Sequence, residues 1–237
     1  MVIHNVLQGT PEWSALRAGI PTASEFDQIV TADWTLRKGE MLQTYLNRKL
    51  AEKRLGRPLD GKASSFEMEQ GTMREDDAIP WYEMRFETVI DRPGFITTDD
   101  GRIGCSPDGM IGDLQLKLAA GWGGIEVKCP AAHTHTGWLR KGELPKDHAA
   151  QVHGCMLVTG AAWWKFLSFR PGFDPLLLTV NRDAEIQMAL RGALNQFLEL
   201  FDSEWKRLGW TAPKKAVRET APDDFKSDVD LWKGCGS

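Results

Sequence analysis

The sequence predicts an α/β (α+β) chain in which a central mixed β-sheet is flanked by helices, and three observations carry that prediction. Helical periodicity dominates the first third, period-two strands occupy the middle with one helix inserted among them, and a long amphipathic helix closes the pattern. In order, Pro11 to Val30 reads as a short helix stopped at Gly19 and a second helix capped by Thr22 or Ser24. Gly39 to Leu55 is the clearest early helix, with Met41, Leu42, Tyr45, Leu46 and Leu50 at helical spacing and Gly56 and Pro58 ending it. Phe66 to Arg85 reads as helical with a break or kink at Pro80, which lacks a donor and clashes with the carbonyl four residues back. Strands follow at Glu87–Asp91, Phe95–Thr98 and Arg102–Ser106, with hairpin turn chemistry at Asp99-Asp100-Gly101. Gly124–Cys129 is a further strand, Lys146–Val158 the inserted helix, and Trp163–Phe169 and Leu176–Val180 two more strands. The last helix, Asp183–Leu208, carries its stripe on Ile186, Leu190, Leu194, Phe197, Phe201 and Trp205.

The 237 residues, 42% hydrophobic and 26% charged, fall in the globular range and exclude disordered and fibrous classes. Residues 1–210 read as a single domain, and the polar, Pro-bearing stretch 211–237 as a loosely held tail. No apolar run approaches the ~20 residues needed to span a bilayer, and Met1 to Gly9 lacks a basic segment followed by an apolar one, so no membrane contact and a cytoplasmic location are expected. Cys105, Cys129, Cys155 and Cys235 are far apart and show no zinc spacing, which suits free thiols. The net charge of −4 conceals an asymmetry. Trp34 to Arg57 is net +5 and Phe66 to Asp100 net −7; such a split suits gripping an anion with one segment and cations with the other, or simply two solvated faces.

The informative stretch is Cys105-Ser-Pro-Asp-Gly109, followed by Ile125-Glu-Val-Lys-Cys129, whose Glu126 lies 18 residues after Asp108. Side chains alternate along a strand, so Glu126 and Lys128 share a face, about 7 Å apart. If the strand carrying Ser106 pairs with this one, Asp108 at its end joins Glu126, and two close carboxylates stabilise a divalent cation, Mg²⁺ or Mn²⁺ by the hardness of their oxygens. The string E-x-K also occurs at Glu204 to Lys206, but there it lies on a helix, where residues two apart do not face each other. Asp108-Gly109 alone is a common turn dipeptide. A site needs a third carboxylate, for which Glu75, Asp76 and Asp77 are candidates.

Asp108 with Glu126-Val-Lys128 resembles the PD-(D/E)xK nuclease core, and over about Gly9 to Leu208 the chain is similar to the lambda-type (YqaJ-like) phage alkaline exonucleases. The matching segments are Gln8-Gly-Thr-Pro-Glu-Trp-Ser-Ala-Leu-Arg-Ala-Gly with Thr22-Ala-Ser-Glu25, Gly71 to Ala78, Cys105 to Gly109, Ile125 to Pro130, and His148-Ala-Ala-Gln-Val152. The resemblance implies the restriction-endonuclease-like fold, with Glu75, Asp108, Glu126 and the Val127 carbonyl binding Mg²⁺ (Mn²⁺ substituting) and Lys128 activating the attacking water. It implies that Gln151 holds that water or the lysine, and that Arg17, Ser24 and Ser106 bind a terminal 5′-phosphate. Arginine offers a planar fork to phosphate oxygens; equally, Arg17 suits a surface position and Ser24 an N-cap. The implied activity is 5′→3′ digestion of linear double-stranded DNA to 5′-mononucleotides, leaving a 3′ overhang for recombination. The implied assembly is a ring-shaped homotrimer working with a single-strand annealing protein in the cytoplasm, that of the bacterial host if the chain is phage or prophage encoded.

Two departures from the family pattern are Pro80 and the length of Ile111 to Gly124, which suggests a protruding hairpin. Arg37 and Lys38, before the basic helix, read as phosphate-tracking or strand-separating residues. Trp13, Trp34 and Trp138 suit stacking on bases or wedging a duplex end, or simply filling a core. His133 and His135 invite a metal-ligand reading but, after Pro130, read rather as residues of a polar loop, and His148 and His153 as packing partners beside Gln151. The rival readings are another PD-(D/E)xK endonuclease, structure-specific or restriction-type, a non-catalytic module docking a recombination partner, and a small-molecule metal hydrolase.

Overall fold

A computed structural model describes residues 1–59, 77–112 and 121–211. The predicted helix over Phe66 to Arg85 is described only from residue 77; it is helical over 77–86 and continues through Pro80. Most of the expected hairpin between Ile111 and Gly124, nearly all of the 211–237 tail with Cys235, and Glu75 lie outside the described residues.

Among the described residues, five strands form the mixed sheet: β2 (Ile90–Asp91), β5 (Gly109–Ile111), β6 (Gly123–Lys128), β7 (Trp163–Ser168) and β8 (Leu176–Asn181), in that order. Only β6 and β7 run parallel, with Glu126 opposite Phe166 and Lys128 opposite Ser168. A parallel pair needs a crossover, and α4 (Ala132–Lys141) with α5 (Lys146–Thr159) supplies it. A second, antiparallel sheet holds β1 (Val2–His4), β3 (Phe95–Thr97) and β4 (Gly104–Cys105).

Alternation along β6 decides the layering. Ile125 and Val127 pack with Ala78, Ile79 and Tyr82 of the helical residues 77–86, here α3. Trp164 and Phe166 of β7 point the other way, into a cluster with Val152, Cys155 and Met156 of α5. Gly124 is required by the same face, since a Cβ there would lie 2.3 Å from the Trp164 ring. α5 is the hub, touching β3, β4, β6, β7, the last helix α6 (Ala184–Arg207) and the 3₁₀ helix Ala23–Gln28. Gly154 permits that last contact, because a Cβ would stand 2.6 Å from Phe26.

The N-terminal helix α1 (Pro11–Arg17) starts as its sequence dictates, with Pro11 in its first turn and Thr10 Oγ1 accepting from the Trp13 N–H at 3.3 Å. Thr22 then bridges to Gly104, whose N–H donates to the Pro21 carbonyl at 3.0 Å. This hooks α1 onto the end of β4. α2 (Glu40–Leu55) buries Leu42, Tyr45, Leu46 and Leu50 as the spacing predicted, whereas Met41 of the same predicted stripe is exposed, and the helix stops at Gly56 in the left-handed conformation.

Candidate active site

Asp108 arrives by a different route from the one expected. The strand before it, β4, pairs with β3 in the smaller sheet, and the partner of β6 is β5, which begins at Gly109. Pro107 has no N–H to give a ladder, so the chain leaves one sheet at Cys105 and joins the other at Gly109. Gly109 opens the strand because a Cβ there would sit 2.1 Å from Ile90 Cγ2. The last β5–β6 partners are Gly109 and Ile125, so beyond Ile125 that edge of β6 is free of strand pairing.

The Lys128 carbonyl accepts from Phe169 on the β7 side. Backbone groups of successive strand residues point to opposite edges, so those of Val127 face the β5 side. There the Val127 N–H donates to Asp108 Oδ2 at 2.6 Å, and its carbonyl points along the same edge. Among the described residues none hydrogen-bonds Asp108 Oδ1. Burial pushes the Asp108 carboxyl above its ordinary range, opposed by Lys128, the Val127 N–H and Arg92.

Glu126 is buried, 1% exposed, on the opposite face of β6 from Ile125. Its Oε1 accepts from Lys128 Nζ, so the two positions share a face as expected and their side chains close into direct contact. The same oxygen accepts from Gln151 Nε2 of α5 at 2.6 Å. Asp108, Glu126, Lys128 and Gln151 are thus joined by direct bonds and the β6 backbone at the point where the sheet splays. Among the described residues no group of three His, Cys, Asp or Glu gathers as a metal nest; the two carboxylates and a carbonyl are hard oxygen donors of the kind that suits Mg²⁺. Cys105 and Cys155 underlie the site as buried free thiols. Their mutual hydrogen bond and burial push Cys155 well above its usual range, so it stays a neutral thiol.

A second cluster gathers residues from α1, the 3₁₀ helix and the β4 end. Arg17 Nη2 donates to Thr22 Oγ1 at 3.2 Å and Ser24 Oγ at 3.4 Å. Its guanidinium lies over the Trp13 ring, 4.0 Å from the centroid, and Trp13 Nε1 donates to Ser106 Oγ at 2.9 Å and to the Gly94 carbonyl at 3.0 Å. Burial lowers the Arg17 pKa despite nearby Glu25. Burial also opposes ionisation of Glu25, but Lys49 and Arg48, at 3.0 and 2.7 Å, outweigh it and hold that carboxyl below its usual range. Arg17, Ser24 and Ser106, chosen from scattered sequence segments, therefore stand together. Trp13, considered for base stacking, is the link between them, and the signal was its i, i+4 spacing to Arg17 on a helix.

Other residues fall differently. Arg37 donates through Nε to the Asp27 carbonyl and through Nη2 to the Val30 carbonyl, both at 3.0 Å, fastening its loop; Lys38 is exposed. The polar-loop expectation for His133 and His135 is corrected. Both lie on α4, and His135 is fully buried between Ser168 Oγ at 2.7 Å and the Asp174 carbonyl at 3.0 Å. Trp138 packs edge-on to His148 and Phe166, and Trp34 edge-on to His153.

A model of the YqaJ-like viral recombinase domain matches residues 12–162, more than half of the chain. The alkaline exonuclease LHK-Exo from Laribacter hongkongensis, solved alone and in complex with dAMP, superposes with a TM-score of 0.73 at 25% identity, covering 84% of this chain and 96% of that one. A phage-related exonuclease from Haemophilus somnus 129PT shares the fold, with a TM-score of 0.58 at 12% identity over 80% of this chain and 96% of that one. No curated protein matches the chain in sequence. Family and neighbours together support a phage-type exonuclease. The chain belongs to the YqaJ-like viral recombinase domain family and has the mixed-sheet fold of the PD-(D/E)xK phage exonucleases.

Proposed function

We propose that this protein is a metal-dependent 5′→3′ exonuclease acting on the ends of linear double-stranded DNA, releasing 5′-mononucleotides and leaving a 3′ overhang for homologous recombination. The observation that carries the reading is the junction of Asp108, Glu126, Lys128 and Gln151 at the splayed end of β5 and β6. LHK-Exo binds dAMP, a mononucleotide of the kind such digestion yields. The Asp108 and Glu126 carboxylates and the Val127 carbonyl, together with Glu75, are the residues that would hold Mg²⁺, or Mn²⁺ in its place. When bound, such an ion lowers the pKa of a water and neutralises charge on a leaving oxygen.

The protein's own groups supply the rest. The Lys128 ammonium, held by Glu126, is available to the oxyanion that develops as water adds to phosphorus and the bond to the 3′ oxygen breaks. Gln151 fixes the Glu126 oxygen and with it the lysine. Arg17, Ser24 and Ser106 receive the terminal 5′-phosphate, and Lys38, on the loop that Arg37 fastens, tracks the DNA backbone. Residues 1–210 act as one catalytic domain with 211–237 as its tail, three copies form a ring around the duplex, and a single-strand annealing protein receives the overhang in the host cytoplasm. A ring suits a chain of net charge −4, because basic residues can line a channel while acidic ones face outward.

The decisive experiment digests end-labelled linear duplex with Mg²⁺ or with chelator, comparing 5′-phosphate, 5′-hydroxyl and covalently closed circular substrates. Mononucleotides released from the 5′ end, only with metal and only from linear DNA, are expected. Cleavage of circles would instead make the protein an endonuclease.

A further inference from the structure

The anion cluster has an internal brace that the proposed chemistry does not use. Trp13 contacts both of its halves: the ring face carries the Arg17 guanidinium, and the indole edge donates to Ser106 Oγ. An indole N–H can only donate. Ser106 therefore accepts at that point and keeps its own proton to offer elsewhere, and no hydrogen bond donated by its hydroxyl is formed among the described residues. Arg17 is likewise incompletely engaged. One amino group leans on Thr22 and Ser24, no carboxylate pairs with it among the described residues, and nearby Glu25 is held by Arg48 and Lys49. A partly desolvated cation and a hydroxyl donor are thus set side by side with unspent hydrogens, and one side chain fixes their spacing.

We propose that Trp13 is the positioning residue that sets the preference of this site for a 5′-phosphorylated over a 5′-hydroxyl DNA end. It acts through Ser106 and Arg17 and touches no reacting atom itself. The inference rests on the assignment of Arg17, Ser24 and Ser106 to the terminal phosphate. Its physical content is pre-organisation. A guanidinium held on an aromatic face loses less freedom when it captures an anion, and a hydroxyl whose lone pair is occupied by an indole N–H has its proton directed outward.

The test measures kcat/KM of the full chain on duplexes that differ only in a 5′-phosphate or a 5′-hydroxyl, for wild type, Trp13→Phe, Trp13→Leu and Arg17→Ala. Trp13→Phe keeps an aromatic face but loses the N–H. The phosphate-to-hydroxyl ratio should fall about three- to tenfold, the size of one net hydrogen bond, chiefly through KM for the phosphorylated end. Trp13→Leu removes the face as well, and its ratio should drop further towards that of Arg17→Ala. Thermal unfolding of each variant shows which arms are folded; should Trp13→Leu not fold, Trp13→Phe decides. If Arg17→Ala collapses the ratio while the Trp13 variants retain it, the brace is refuted and the phosphate pocket stands. Equal loss on both substrates in the Trp13 variants also refutes it, since a merely structural role lowers both rates alike. If Arg17→Ala leaves the ratio intact, the phosphate pocket itself is wrong and the inference falls with it.

Discussion

His148 offers a titration whose size follows from its surroundings. The ring packs against Trp138 and Phe166, with centroids 5.4 and 5.5 Å away. Burial and then the Lys128 ammonium lower its pKa from an ordinary 6.5 to about 4, only partly opposed by Asp147. The unfolded chain therefore takes up a proton that the folded one refuses, and stability rises with pH through this window. The contribution is complete above the unfolded value and is lost as pH falls towards about 4. Between about pH 8 and about pH 5 the loss amounts to about 2 kcal/mol, or roughly 4–8 °C in Tm for a chain of this length. The perturbation is His148→Phe, which keeps an aromatic ring between Trp138 and Phe166 and removes the proton site. Urea unfolding of wild type and variant at both pH values isolates His148, because the carboxylates and His153 titrate in both proteins. The variant's decline in stability should be smaller by about 2 kcal/mol. An identical decline in the two proteins would refute the argument that this imidazole is kept neutral.

Lys128→Ala should abolish turnover while duplex binding in a gel or anisotropy assay changes little; residual hydrolysis near the wild-type rate would remove Lys128 from the chemistry. Lys49 is buried between Glu25 and Glu52, each 3.0 Å away, so Lys49→Met strands buried negative charge and should cost about 3–5 kcal/mol in urea unfolding. Adding Glu52→Gln to that variant should recover part of the loss. Gly154→Ala drives a methyl into Phe26 and should destabilise by about 1–3 kcal/mol, with a matching loss of activity only if the 3₁₀ helix moves. Duplex affinity should fall with salt at a log–log slope near −4.5 if about five phosphates are contacted, a dependence that a small-molecule hydrolase would lack.

Much of the site was legible because its signals are local. Glu126 and Lys128 announce a shared face by strand alternation alone, and the β6 bounds differ by one residue from those expected. The final helix was equally plain, since an apolar stripe along Asp183 to Leu208 has no alternative period. What was hidden is non-local or short. The three residues of β1 form a strand only because Phe95–Thr97 lies opposite. Asp108-Gly109 carries turn chemistry, and only the packing of Ile90 against Gly109 reveals a strand start. The helix holding His133 and His135 has no side-chain N-cap, which left Pro130 as the dominant local cue. Its stop at Gly142 after Arg140 and Lys141 is a local signal of the helix that the sequence does carry. The third carboxylate, Glu75, lies outside the described residues and stays an assignment from the resemblance.

The crossing at Pro107 has a further consequence. Ser106 ends its stay beside one sheet and Asp108 begins beside the other, so in the proposed function the grip on a strand's terminus and the attack on its backbone would be joined by a covalent ruler of two residues, at most about 7 Å long. On the proposed reading, the length of the fragment released per cycle is written into that stub of chain. On the same reading, lengthening it by one residue would shift the Ser106 end of the phosphate grip relative to Asp108.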